Sequence, residues 1–110
     1  MVKKEDLSKY LPLSETTFYT MICLVKPMHG YVLMQKVTEI SQGIVHLGAG
    51  TLYTIFSTLE KEGLIEMVSE SDRRKTYILT PKGKQLLLQQ IHRIEIMALN
   101  SQDFKQLINK

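Results

Sequence analysis

Gly50-Thr51-Leu52-Tyr53-Thr54-Ile55-Phe56-Ser57-Thr58-Leu59-Glu60-Lys61-Glu62-Gly63-Leu64-Ile65 is the stretch on which the reading of this chain turns. Its apolar residues Leu52, Ile55, Phe56 and Leu59 recur at i, i+3, i+4 and i+7, the spacing of one helix face. The opposite face carries Thr51, Thr54, Ser57, Thr58 and Lys61, all hydrogen-bond donors and none acidic. Gly63 stands where a helix takes a left-handed C′ residue, and Leu64 follows as its apolar C″ partner. A short helix with an apolar back and a neutral-to-basic front suits a DNA major groove. An ordinary surface helix has the same composition, so its neighbours decide.

Working upstream, Gly48-Ala49-Gly50 is preceded by the apolar piece Ile44-Val45-His46-Leu47, which reads equally as coil or as strand. Before it runs an amphipathic helix with Leu33, Val37 and Ile40 inward and Gln35, Lys36 and Glu39 outward, closed by Ser41-Gln42-Gly43. An earlier helix starts at Ser14, a good N-cap, with Leu13 and Phe18 placed for a hydrophobic staple. Phe18, Met21, Ile22 and Val25 form its stripe until Lys26-Pro27 stops it. Residues 1–13 read as a short arm, with Leu7, Tyr10 and Leu11 at helical spacing and Pro12 ending the turn.

Downstream, Leu64–Val68 and Thr76–Thr80 are rich in β-formers and flank a loop containing Asp72-Arg73-Arg74-Lys75. They predict a hairpin tipped with three cations, which needs the helices beneath it to be stable. Thr80-Pro81 starts a last helix, with Thr at the N-cap and Pro at N1. Leu87, Ile91, Ile94 and Ala98 form a heptad-like seam on it, and Leu88, Glu95 and Leu99 flank that seam. Asn100-Ser101 is a candidate break before Phe104, Leu107 and Ile108. The expected fold is mainly α with a small β-hairpin: a winged helix-turn-helix over residues 1–80, then a C-terminal helix over 81–110 packed on the same domain.

The bulk numbers agree with one domain. The chain has 110 residues, 44% of them hydrophobic and 23% charged, and a formal net charge of +3. That mild basicity allows a nucleic-acid partner without demanding one. A single cysteine, Cys23, leaves no internal disulfide and fits a reducing compartment. The charged start lacks a signal-peptide core, and no apolar run approaches the ~18–20 residues of a membrane span. The expectation is a cytoplasmic protein without membrane attachment. His29, His46 and His92 have no paired ligand spacing, so neither metal nor other cofactor is expected. No activated nucleophile or phosphate-cradling loop stands out, which argues against an enzyme.

Several of these stretches also resemble one family, the PadR family of bacterial repressors. The resemblance rests on His29-Gly30-Tyr31, on Gly50-Thr51-Leu52-Tyr53, and on Leu59-Glu60-Lys61-Glu62-Gly63-Leu64-Ile65. Arg73-Arg74-Lys75-Thr76-Tyr77 and Leu79-Thr80-Pro81-Lys82-Gly83 extend it, in the same order and spacing, over roughly residues 14–99. It implies a homodimeric transcriptional repressor that leaves its operator when a small molecule binds, with the C-terminal helix as the dimerisation element. Thr54 stands where the family often has Pro, and Gly48-Ala49 where it often has Ser-Pro. Both departures fall at the reading end of the helix, so no operator sequence is carried over.

The candidate DNA contacts are Thr51, Tyr53, Thr54 and Ser57 on the recognition helix, with Arg73, Arg74 and Lys75 on the wing reaching phosphates. Lys61 and Lys36 flank them. Tyr53 reads equally as packing on the wing with its hydroxyl at a phosphate, and Glu70 and Asp72 dilute the wing's positive field. Leu87, Ile91, Ile94 and Ala98 are the candidate dimer seam, which would set two recognition helices ~34 Å apart on pseudo-palindromic operator DNA. A pocket for a small hydrophobic or aromatic effector is placed at Met21, Phe18, Ile94, Met97 and Phe104, against the alternative of a filled core. The competing reading is a winged-helix protein–protein interaction module without specific DNA binding.

Overall fold

Ser14 caps the first helix as its position predicts: its hydroxyl oxygen accepts the Thr17 amide at 3.1 Å. The computed structural model describes residues 6–110. A 3-10 turn at Ser8–Tyr10 leads into α1 (Glu15–Cys23), β1 (Met28–His29) and α2 (Gly30–Ile40). There follow α3 (Ala49–Lys61), β2 (Ile65–Ser71), β3 (Arg74–Leu79) and α4 (Pro81–Ile108). This is a mainly helical winged helix-turn-helix with a three-stranded antiparallel sheet.

The turn between α2 and α3 and the turn from α3 into the wing are both set by left-handed residues. At the end of α3, Gly63 has φ +73°, the Gly63 N–H donates to the Glu60 carbonyl and the Leu64 N–H to the Leu59 carbonyl at 2.9 Å. That pair is the Schellman closure anticipated at Gly63. At the end of α2 the same closure uses Gln42 (φ 55°), with the Gly43 N–H on the Thr38 carbonyl at 2.8 Å. Ser41 is buried there, and its hydroxyl accepts the Val45 N–H at 3.0 Å. Residues 44–47 are therefore coil, pinned by Ser41, with Val45 and Leu47 turned into the core.

Several sequence expectations are corrected. The wing is not a two-stranded ribbon, because Met28–His29 adds a third strand and the order is β1-β3-β2. Met28 pairs with Tyr77 and His29 with Thr76, and the Leu79 N–H reaches the Leu24 carbonyl at 2.9 Å. The strands also run further than predicted. Only Asp72 and Arg73 form the turn, both left-handed (φ 51° and 66°) as a two-residue hairpin requires, so Arg74 and Lys75 are strand residues. A bulge between Met67 and Ser69 leaves Val68 as the extra residue of β2. Val25 and Ile40, assigned inward, are exposed, while Leu24 is wholly buried instead.

The predicted arm is docked. Leu7 is buried in the core, and the Leu13 N–H donates to the buried Gln90 Oε1 at 2.8 Å. Its residues 1–5 lie outside the described residues. At the other end, α4 passes through Asn100-Ser101 unbroken, with the Ser101 hydroxyl on the Met97 carbonyl at 2.7 Å. Its 28 residues make a rod of about 42 Å. Only its first turns enter the core, through Gly83, Leu86, Leu87 and Gln90.

Gly83 is where α4 crosses the chain closest. A Cβ there would overlap the Leu64 carbonyl oxygen, whereas one at Gly50 would meet nothing within 4 Å. Gly83→Ala is expected to cost ~1–3 kcal/mol by overpacking. Gly50→Ala, in a helix with open space, is expected to gain about 0.5–1 kcal/mol. Urea unfolding of the two variants measures the contrast.

Candidate nucleic-acid interface

The interface is built where α2, α3 and the wing converge. Gly30 opens α2 against α3, and a Cβ there would lie 3.2 Å from Leu52 Cδ2 and 3.7 Å from Phe56 Cε2. The absent side chain lets the two helices approach. Phe56, half-buried on the inner side of α3, stacks on Tyr77 of β3 with ring centroids 4.8 Å apart at 44°. Tyr77 is the residue that β1 and β2 flank, opposite Met28 and Met67. The aromatic pair thus ties the recognition helix to the middle strand of the wing.

In front of that pair lies an open cleft of about 420 Å³. Tyr53 and Ser57 line it from α3, and Arg73, Arg74 and Lys75 line it from the wing. Five of the nine predicted contacts are therefore brought together. Thr51 and Thr54 lie on the exposed surface of α3 outside the cleft, Lys61 is exposed in its last turn, and Lys36 is exposed on α2. Thr54 differs from its expected donor role: its hydroxyl donates to the Gly50 carbonyl at 3.1 Å, leaving only acceptor capacity facing outward.

Sequence reasoning missed His29, Tyr31 and Glu60, which also line the cleft. Tyr31 is exposed at the start of α2, and the signal for it was an aromatic residue directly after the helix-opening glycine. His29 enters because β1 holds it beside Thr76. Glu60 sets one carboxylate among the cations. Otherwise charge on the wing is segregated by strand, with Glu66 and Glu70 on the outer strand β2 and Arg74 and Lys75 on the central strand β3.

The remaining predicted positions are spread out. Leu87, first in the predicted dimer seam, is 4% exposed and belongs to its own core; this is a correction, since a buried side chain is not available to a partner. Ile91 and Ile94 are half-buried, and Ala98 is exposed. Of the predicted effector-pocket residues, Met21 has no accessible surface, Phe18 packs edge-on against Tyr19, and Met97 and Phe104 are exposed far along α4. None of the five lines the cleft between α3 and the wing. No group of three or more His, Cys, Asp or Glu that could hold a metal occurs among the described residues. No helix there is long and apolar enough to cross a membrane.

Comparison with known proteins settles the family. Residues 20–89 match the transcriptional regulator PadR-like family. The chain belongs to that family. Over 66 residues it is 33% identical to an uncharacterised 37.1 kDa protein in a transposon of Streptomyces fradiae, aligning 60% of this chain with 19% of that protein. Over 70 residues it is 33% identical to an uncharacterised protein of Lysinibacillus sphaericus, with 60% and 64% covered. The chain thus spans less than two thirds of either relative. Among solved structures it resembles a PadR-like transcriptional regulator from Bacillus cereus, with a TM-score of 0.70, 22% identity, and 83% and 91% of the two chains covered. That likeness is one of fold.

Two groups, Cys23 and Tyr77, titrate above their ordinary values. Burial pushes the Cys23 thiol up from 9.0, partly opposed by Lys36. Burial, with Glu60 adding to it, pushes the Tyr77 phenol up from 10.0. The fold therefore favours the protonated, neutral forms, and Cys23 is not a reactive thiolate. Stability is full below the unfolded values and is lost as pH rises through the shifted ones. Urea midpoints are expected to be level from about pH 7 to about pH 9 and to fall above it. Iodoacetamide should label Cys23 at least ~10-fold more slowly in the native chain than in urea. A flat alkaline profile, or equal labelling, contradicts this.

Proposed function

We propose that this regulator is a homodimeric repressor that binds pseudo-palindromic operator DNA and is released by a small-molecule effector. The observation carrying the reading is the cleft in which Tyr53 and Ser57 of α3 face Arg73, Arg74 and Lys75 of the wing. In this arrangement α3 enters the major groove and the wing cations take adjacent phosphates. Thr51 and Ser57 present hydroxyls for base edges, while Tyr31 and Tyr53 offer phenols at the groove wall. The acids of β2 are held on the strand away from the phosphates. No catalytic step belongs to this reading, and its setting is the cytoplasm.

The dimer reading is supported by how α4 continues past its own domain. Leu86 and Gln90 are buried against the core, and Met97, Phe104 and Ile108 follow them at helical steps, all exposed. One apolar stripe therefore runs from a covered half to an uncovered half. A second copy related by a two-fold axis covers both outer halves at once. Leu88 and Leu99, 66% exposed each, add a second strip. Between the N-terminal segment and α4 a groove of about 690 Å³, lined by Leu11, Leu88 and His92 among others, is a ligand-sized space for the effector.

Gel shifts at two salt concentrations test the DNA interface. Arg74→Ala is expected to weaken binding on every sequence and to reduce the salt slope by about 1. Ser57→Ala should instead lose discrimination between operator and random DNA, by about 1–3 kcal/mol. If the native chain shifts no DNA at low salt, the protein–protein interaction reading replaces this one. For the dimer, Phe104→Glu is expected to halve the sedimenting mass without unfolding the domain, and an unchanged mass removes α4 from the interface.

A further inference from the structure

Three consecutive carbonyls follow the recognition helix, those of Glu62, Gly63 and Leu64, and each meets the first turn of α4. Lys82 Nζ donates to the Glu62 carbonyl at 2.9 Å and the Thr80 hydroxyl to the Gly63 carbonyl at 2.6 Å. The Thr80 N–H donates to the Leu64 carbonyl at 3.0 Å. The N-terminal segment closes the group from outside. Tyr10 Oη donates to Glu62 Oε2 at 3.1 Å, and Lys82 Nζ donates to Tyr10 Oη at 3.2 Å. The same ammonium lies 5.4 Å from the Tyr10 ring centroid and at the C-terminal end of α3, where the helix dipole favours a cation.

We propose that this Tyr10–Glu62–Lys82 lock is a positioning device that fixes the angle between α3 and α4, and through it the operator half-site spacing. The inference rests on the dimeric DNA-binding reading given above. The backbone pair at Leu64 and Thr80, with the buried Gly83, Leu86, Leu87 and Gln90, seats the inner side of α4 on the domain. Lys82 and Tyr10 add a tie to the end of α3 outside that seat, and this outer tie resists rocking of α4 upon it. The angle matters because α4 is a long lever. From Lys82 to Leu99 it runs about 26 Å, so a tilt of about 10° displaces its outer half by ~4–5 Å. One base pair rises only ~3.4 Å and turns ~34°. A slack lock therefore lets the two recognition helices drift by more than one base-pair step.

The test uses the full chain on duplexes bearing two half-sites, taken from selection on a random pool, with the spacer changed one base pair at a time. The wild-type protein is expected to favour one spacer by at least ~10-fold over its neighbours. Lys82→Met and Tyr10→Phe are each expected to reduce that ratio to about 2–3-fold, with single half-site affinity and salt slope unchanged. Lys82→Arg, which keeps a charged donor, should retain the preference. Tyr10→Phe removes one hydroxyl and keeps the experiment decisive if Lys82→Met fails to fold. An unchanged ratio in Tyr10→Phe overturns the lock. So does a uniform loss of affinity with a shallower salt slope in Lys82→Met, which marks that residue as a phosphate contact. A wild-type chain that shifts DNA but ignores spacing overturns the dimeric reading, and the lock with it.

Discussion

A two-stranded ribbon is marginal in water, and the wing of this protein is held because its inner strand is paired on both edges. β3 lies between β2 and the two residues of β1, and the Leu79 N–H on the Leu24 carbonyl continues the pairing toward the end of α1. The strand that carries Arg74 and Lys75 is thereby fixed to the segment that opens α2. Tyr77 sits at the centre of this arrangement, buried and stacked on Phe56 of α3. Without β1 the hairpin would be free to hinge about its base. With it, cations and recognition helix share one frame, which is what a groove-and-phosphate surface needs.

The same pairing explains where the charge goes. The chain carries 14 basic and 11 acidic side chains, too even a balance for net charge alone to make a DNA surface. Position does the sorting. In register, Lys75 faces Glu70 and Arg74 faces Ser71, so the acids lie on the outer strand and the cations beside α3. Glu60, among the cleft residues, is the exception, and it sets one carboxylate beside the cations.

Much of this was legible in the sequence, and what was not has physical reasons. The periodicity of Leu52, Ile55, Phe56 and Leu59, the Gly63 closure and the Thr80-Pro81 start all reflect local rules, and all three hold in the structure. β1 escaped because two residues carry no period; only the partner strand makes Met28–His29 a strand. The wing tip was placed too wide because Asp72 and Arg73 take left-handed angles without a glycine to announce them. Asn100-Ser101 does not break α4, since Ser101 satisfies itself on the preceding turn. Of the cleft, the hydroxyl and cationic residues were readable as types, but His29, Tyr31 and Glu60 arrive there only through the crossing of α2 and α3.

The predicted dimer seam shows where periodicity stops being informative. Leu87, Ile91, Ile94 and Ala98 do form a line, yet a line of apolar residues says nothing about who covers it. The domain ends partway along α4, and burial falls from complete at Leu86 to about half at Ile94 and to exposure from Glu95 onward. One helix therefore does two jobs in series. Its first turns complete the core that supports α3 and the wing, and its last turns carry Met97, Phe104 and Ile108 outward as an uncovered continuation of the same face. The rod is one unbroken helix, apolar and exposed at its far end and held at its near end by residues that meet the rest of the domain. In this chain those residues are Thr80, Lys82 and Gly83, and what they touch is the end of the recognition helix.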